Sequence, residues 1–332
     1  MNKTQIETAL RNEVQGEVLF DTFSKAIYSI DASIYEVAPV GVVRPKTQEE
    51  LLKVVKIARD FQVPIIGRGA GTGIAGGCIG EGLVVDTSKY LRHIVDVNWE
   101  EGHVTVEPGV VQDELNTFLG KRGFRLGPDT STGNRATIGG MVGNNSSGAH
   151  SLRYGKMVDH VLEIDLILQQ GVKVNFSSLS QGQFEEKTKL SGPEGDIYRC
   201  IQDLLVNKRS VIEEKFPKIS RRVAGYNLDE LLKGFPLNLS SLITGSEGSF
   251  GITSQIKLKI SPKPKQVGLC IIHFHDLVDS LRPMELYLDS GAYALEMVDE
   301  AIIKAAKTSP SMKSRLNWLQ GDPQALIIVE FD

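Results

Sequence analysis

Three clusters of glycine, at 67–82, 133–155 and 244–251, constrain this chain more than any other feature; they hold much of its 33 glycines. Glycine accepts positive φ and lets another group reach the backbone with no Cβ in the way. Three such clusters, set between segments patterned for helix and strand, call for a fold in which several loops converge closely on one object. A length of 332 residues suggests about two domains. Hydrophobic residues at 41% and charged residues at 23% match a globular chain able to bury substantial cores.

The segments between the clusters read as mixed secondary structure. Thr47 followed by EELLKVVKIARDF makes a capped helix, and VPIIGRG reads as a buried strand running into a turn. LVVDTSKY, HIVDVNW and HVTVEPG give three short strands with no room for helices between them, and residues 110–121 have helical spacing. VDHVLEIDLILQQGVKVNF alternates like a hairpin turning at Gln170-Gly171. IYRCIQDLLVNKRSVIEEKF reads as a helix, and GSFGITSQIKLKI as a strand after a Gly-rich turn. Past Pro262 and Pro264 the pattern restarts with VGLCIIHFHD, YALEMVD and ALIIVEFD as strands among helical segments, which places a boundary near residue 265. The chain stops in or just after an apolar strand, and it reads as a fragment of a longer protein.

Charge and cysteine content exclude several functions. A net charge of −4 leaves no basic surplus for a nucleic acid backbone. The N-terminal MNKTQIETALRNEV has no apolar core of a secretory signal, and no window is long and apolar enough to span a bilayer, so a cytoplasmic location is expected. Cys78, Cys200 and Cys270 are far apart and odd in number, which argues against a disulfide framework or a CxxC metal site; burial as small apolar residues is expected for each.

The first Gly-rich loop runs Gly67-Arg68-Gly69-Ala70-Gly71-Thr72-Gly73 and on to Gly77. Backbone N–H groups of such a loop can converge on a diphosphate. Gly71 to Gly76 also fits GxGxxG, but the six residues from Gly77 to Gly82 cannot supply the helix that a Rossmann unit requires. The second loop, from Pro128 to Gly148, offers hydroxyls, amides and bare backbone over a long irregular stretch. The third, Thr244 to Ile252, has turn chemistry entering a strand and alone would pass for a hairpin.

The order RGAGTG, TIGGMVGNNSSG, RYG and TGSEGSFGI resembles the FAD-binding domain of the vanillyl-alcohol oxidase and p-cresol methylhydroxylase superfamily. Within it the chain is most similar to the FAD-linked oxidases that include the glycolate oxidase flavin subunit, D-lactate dehydrogenases and D-2-hydroxyglutarate dehydrogenases. SIYEVAP, STGNRATIGGM and FPKISRRVAGYNLDEL look like the long bacterial branch fused to a C-terminal iron–sulfur region. The resemblance implies an α+β fold: a two-subdomain PCMH-type FAD-binding domain over 1–265 (roughly 1–110 and 111–265), then the start of a ferredoxin-like α+β cap domain over 266–332. It implies that Arg68, Gly69, Ala70, Gly71, Thr72 and Gly73 hold the FAD diphosphate together with Thr137, Gly139 and Gly140. Asn144, Ser146 and Ser147 would lie beside diphosphate and flavin, Pro128 and Ser131 nearby, and Glu247, Gly248 and Ile252 along the cofactor. Relatives with covalent flavin often carry a histidine near the place of Thr72, so noncovalent FAD is expected. The implied reaction oxidises a D-2-hydroxy acid to the 2-oxo acid, with an electron acceptor as second partner. The same scaffold also serves other alcohols such as aldonolactones, or a noncatalytic FAD-binding module. The base, a divalent metal and an iron–sulfur cluster are expected only in residues C-terminal to 332, and contact with a membrane only through the acceptor.

Arg221 and Arg222 sit where relatives place cations near the substrate carboxylate, and an exposed basic pair fits the residues as well. Tyr226 suits either orienting a substrate or packing in a core. His273 and His275 alternate as a metal pair would, without a third ligand, and a solvated face is the simpler reading. His150 and His160 flank RYG and are read as near the cofactor or as hydrogen-bonded structural residues.

Overall fold

In the computed structural model, which describes residues 3–219 and 221–332, the chain opens with a unit organised by helix Gln48–Asp60. Thr47 caps it by accepting the Glu50 amide at 3.2 Å, Glu49 and Glu50 complement its positive end, and Arg59 its negative end. Leu51, Val54, Val55 and Ala58 recur at helical spacing and are buried against Ile6 and Leu10 of helix Lys3–Glu13. Glu50 is itself buried, and its carboxylate accepts the amides of Gln15, Gly16 and Lys46, so the helix is pinned to the preceding chain.

Beneath lies a four-stranded sheet of β1 (Glu17–Leu19), β2 (Gly41–Arg44), β3 (Ile65–Arg68) and β4 (Leu83–Asp86), in the order β1-β2-β4-β3. β2, β4 and β3 are parallel, and β1 is antiparallel to β2. Residues 69–82, which join the parallel neighbours β3 and β4, form no helix. A Rossmann crossover is therefore absent at the place where GxGxxG could suggest one.

The second sheet is antiparallel throughout. It comprises β5 (Ile94–Asn98), β6 (His103–Val106), β8 (Val161–Leu168), β9 (Lys173–Phe176) and β12 (Gly251–Lys259), in the order β5-β6-β12-β8-β9. The β8–β9 hairpin turns where Gly171 takes φ 70°, as the Gln170-Gly171 signal predicts. Two short pairs complete this region: β7 (Phe124–Arg125) with β13 (Ser261–Pro262), and β10 (Ser178–Leu179) with β11 (Leu237–Asn238). Ile252, Ser254, Ile256 and Leu258 are the buried face of β12. Ile252, with Ile167 of β8, packs into the first unit's core, so the two cores meet along these strands. A third, smaller sheet of β14 (Gly268–Phe274), β15 (Ala294–Asp299) and β16 (Ala325–Phe331) has β16 at its centre, with Ile327 and Val329 packed on Tyr287.

Several expectations change. The helix read across residues 197–216 is two helices, Pro193–Asn207 and Arg209–Lys215, because Lys208 leaves helical geometry at φ −121°. The second Gly-rich loop is not wholly irregular, since Ile138–Gly143 within it is helical. The third loop is no hairpin, because β12 pairs with β6 and β8 rather than with the chain just before it. Cys200 and Cys270 are exposed, which corrects the expected burial; Cys200 rides the open side of its helix and Cys270 an outer strand. His275 lies past the end of β14 and is exposed, while His273 packs edge-on against Trp318. Among the described residues no cluster of metal-ligating side chains occurs, and no helix is long and apolar enough to cross a membrane.

Charge pairing within the first sheet makes stability depend on pH. Lys89 and then Tyr90 donate to the Glu17 carboxylate, and Arg44 Nη1 donates to it at 2.6 Å, which holds its pKa down to about 2. A pKa lower in the folded than in the unfolded chain means that the stabilisation is full above the ordinary carboxylate range and is lost as pH falls through it toward about 2. For a carboxylate that keeps some solvent contact, Glu17→Gln should cost about 1–2 kcal/mol near neutrality. Thermal melts of both proteins should show that gap closing steadily between about pH 5 and pH 2, and a gap that ignores pH would refute the assignment.

Candidate functional site

The three glycine clusters line one cleft of about 560 Å³ between the first and second sheets. Its first wall is the β3–β4 loop. Arg68 Nη2 donates to Ile30 O at 2.8 Å and Nη1 to Cys78 O at 3.5 Å, so its guanidinium braces the loop from behind. The same guanidinium lies 5.0 Å from the centre of the Tyr28 ring. Tyr28 donates to Asp86, and burial together with that carboxylate pushes its hydroxyl up to about 12. Gly71 takes φ 68°, and its carbonyl accepts the Ala32 amide at 3.0 Å. No amide of residues 70–74 donates to an acceptor among the described residues. Five free N–H groups on a cleft wall form a ready anion cradle.

The second wall is residues 130–146. Buried Gln112 holds its start: Nε2 donates to Pro128 O at 2.9 Å, and Oε1 accepts the Thr130 amide and hydroxyl. Thr137 then caps helix Ile138–Gly143 without a side-chain bond. Its Oγ1 is the one buried side-chain polar atom without a partner among the described residues. A Cβ on Gly69 would fall 2.1 Å from that oxygen, so only glycine allows the two walls to approach this closely. The third wall is tied to the second where Gly245 N donates to Val142 O and Glu247 N to Gly143 O. Glu247 takes φ 51°, which turns its carboxylate toward Gly77 across the cleft.

Of the residues singled out in the sequence, Arg68 to Gly73, Ser131, Thr137, Gly139, Gly140, Asn144, Ser146, Glu247, Gly248 and Ile252 line the cleft together. Pro128 and Ser147 stand behind the lining: Pro128 meets Gln112, and Ser147 Oγ accepts Arg221 Nε at 3.2 Å. Arg221 is exposed, whereas Arg222 is paired with Asp229 at 2.5 Å and also donates to Asn227. Tyr226 is half exposed, with its hydroxyl 3.0 Å from Ser249 Oγ and its ring against Phe250. Val223, between the arginine pair and Tyr226, reaches the lining, which sets this segment at the cleft's edge. His160 is buried, and that burial lowers its pKa, so the neutral ring donates Nε2–H to Tyr154 O at 2.7 Å, a structural role. His150 stands between Asp129 and Glu330, outside the lining.

Sequence reading missed Asp31 and Cys78 on the lining. Cys78 donates to Asp31 at 3.4 Å, and burial pushes its thiol up to about 11, which leaves it a poor nucleophile. Arg68 is the only cationic side chain on the described lining, and it is spent on carbonyls, so backbone amides and the Thr137 hydroxyl must meet an anion. A long groove with an amide cradle at one wall, an orphan hydroxyl and glycine-thin contacts fits a dinucleotide bound along its diphosphate.

Comparison with known proteins agrees. Residues 39–177 match the family described as FAD binding domain. A D-2-hydroxyglutarate dehydrogenase of Pseudomonas putida is 32% identical over 99% of this chain and 34% of its own length. The mitochondrial D-lactate dehydrogenase [cytochrome] 1 of Saccharomyces cerevisiae is 27% identical over 90% of this chain and 43% of its own. The chain thus spans about a third of the length of the first relatives it matches. Among solved structures, an alkyldihydroxyacetonephosphate synthase superposes with a TM-score of 0.70 at 18% identity, over 98% of this chain and 56% of that one, which is a likeness of fold. Residues 39–177 thus match an FAD binding domain, and the chain as a whole is similar to D-2-hydroxyglutarate dehydrogenases, a D-lactate dehydrogenase and glycolate oxidase subunits.

Proposed function

We propose that the chain is the flavin-binding part of a dehydrogenase that oxidises a D-2-hydroxy acid to the 2-oxo acid, with FAD held noncovalently. The observation that carries the cofactor side is the convergence of five unspent amides and the unpartnered Thr137 hydroxyl on one cleft. The substrate class rests on relatives named for D-2-hydroxyglutarate and D-lactate. When bound, FAD supplies a two-electron acceptor for hydride from the substrate C2. In this reading the amides of residues 70–74, Thr137 and Gly140 meet the diphosphate, and Glu247 to Ile252 follow the rest of the cofactor. Thr72 stands on the lining where relatives with covalent flavin often carry a histidine, which supports noncovalent binding.

At the cleft's edge, Arg221 and the Tyr226 hydroxyl are the groups able to orient a carboxylate and a hydroxyl, while the ion pair with Asp229 makes Arg222 a support for that segment. The described lining has no histidine, and we place the hydroxyl-abstracting base C-terminal to residue 332. The direct test is an absorption spectrum of the purified protein, before and after heat denaturation and filtration. Flavin bands near roughly 370 and 450 nm, with the chromophore in the filtrate, are expected. A protein that stays colourless and cannot be reconstituted with FAD would overturn the cofactor assignment. Anaerobic bleaching of the full-length enzyme by D-2-hydroxyglutarate or D-lactate, but not by the L forms, is expected in turn, and bleaching by neither D acid would overturn the substrate class.

A further inference from the structure

His150 joins parts of the chain that are remote in sequence. Its Nδ1 lies 2.6 Å from Asp129 Oδ2, and its Nε2 lies 3.1 Å from Glu330 Oε1. Its backbone amide reaches the other Asp129 oxygen at 3.3 Å. Asp129 begins the loop whose residues 130–132 line the cleft, and Glu330 sits on β16, the central strand of the third sheet. The ring is therefore a tie between the wall of the FAD cleft and the small sheet beyond it.

A neutral imidazole carries one N–H, so it can satisfy only one of two carboxylates placed at its two nitrogens; the other nitrogen would set a lone pair against an anion. An imidazolium satisfies both, with charge-assisted bonds. The three side chains are mostly shielded, at 17% exposure for His150 and 24% for each carboxylate, so water has limited access to replace either bond. Tyr293 packs edge-on against the ring at 4.7 Å, and its amide donates to Glu330 O, which fixes the height of the strand. The remaining polar groups at this junction do not offer His150 a competing charge. Arg125 donates to the Tyr293 hydroxyl and lies over the Tyr154 ring, Tyr293 donates to Tyr154, and Arg153 pairs with Asp332 at 3.6 Å.

We propose that His150 is a positioning residue, a proton-dependent clamp that docks the third sheet on the FAD-binding unit and braces the cleft wall through Asp129. While the ring holds two protons, Asp129 and Glu330 are drawn to one centre, and residues 129–132 and β16 are restrained together. When one proton leaves, one carboxylate is released and both segments loosen. The effect on FAD rests on the cofactor assignment above, whereas the mechanical link between the two segments does not.

The test compares wild type, His150→Ala and Glu330→Gln as FAD-loaded proteins, by hydrogen exchange at 129–132 and 325–331 corrected for intrinsic rates, and by FAD titration. In wild type both segments should lose protection together, by about tenfold, once the ring gives up its second proton on titration to alkaline pH. His150→Ala should show the weaker protection of the released state at every pH and bind FAD about five- to tenfold more weakly. Glu330→Gln should stay protected and become insensitive to pH, because the amide can donate to the bare nitrogen of a neutral ring while Asp129 accepts the remaining N–H. Segments that respond independently, or a Glu330→Gln protein that keeps the wild-type pH response, would overturn the clamp. If the exchange pattern appears but FAD affinity is equal in all three, the link to the cleft wall fails. If no variant binds FAD, including wild type, the cofactor assignment fails and the exchange data still judge the clamp.

Discussion

Gly69→Val should give a folded protein that no longer retains FAD. The first added atom would lie 2.1 Å from Thr137 Oγ1 and 3.3 Å from Thr137 Cβ, well inside contact distance. Thr137 has little room to retreat, since it is 3% exposed at the start of a buried helix. As a β-branched residue at a helix start it also has few rotamers to choose from. The strain is therefore relieved by lifting the β3–β4 loop, which carries away the amides of residues 70–74 that the cleft presents to an anion. Loss of most of that cradle should weaken FAD at least about 100-fold, near 2.7 kcal/mol. The fold should survive, because Gly69 touches the cleft wall and no member of the two main cores. FAD titration and thermal melting of the cofactor-free protein measure the two effects separately. A cycle with Gly69→Ala and Thr137→Ala sharpens the cause: the double variant should bind better than Gly69→Ala alone, since removing the hydroxyl makes room for the new methyl. Gly69→Val that binds FAD as wild type does would sink the assignment of this contact.

The features that could be read from the sequence are those written locally. Alternation gave β8 and β9, a two-residue turn signal gave Gly171 its positive φ, and composition marked the loops that line the cleft. Buried polar side chains were not legible, because their partners are chosen by tertiary structure. Glu50 looks like a charge in the first turn of a helix, yet its work is to accept amides 34 and 35 residues earlier. Gln112 carries no motif and nonetheless sets the start of the second wall. His150 could be placed near RYG, but its carboxylate partners lie 21 and 180 residues away. Arg68 shows the opposite error of emphasis: its place in a glycine loop suggests a phosphate ligand, whereas its guanidinium is bonded to carbonyls behind the loop.

Asn227 is the most consequential of these silent residues, and its replacement should be the most damaging single polar change in the second unit. The side chain is fully buried. Its Nδ2 donates to Thr244 O at 2.7 Å and Ser241 O at 3.1 Å, while Oδ1 accepts Arg222 Nη1 at 3.2 Å and Asn145 Nδ2 at 3.5 Å. One amide thus joins the Arg222 segment, the third wall at Thr244, and the second wall at Asn145, which itself holds the Val158 amide with φ 48°. Asn227→Ala would take a partner from two carbonyls, an arginine N–H and the Asn145 amide, and each buried orphan costs about 1–3 kcal/mol, so a total near 3 kcal/mol is the modest expectation. That should lower the melting midpoint by about 4 °C in a chain of this size. Asn227→Asp separates the two halves of the network. A carboxylate keeps the acceptor for Arg222 but faces Thr244 O and Ser241 O with no proton to give, so it should be nearly as harmful as alanine if the donors matter most. An aspartate variant as stable as wild type would show that the bond to Arg222 dominates instead. Because the amide holds both walls in register, FAD affinity should fall along with stability in the alanine variant, and a protein that melts normally with its FAD affinity intact would remove Asn227 from the architecture of the site.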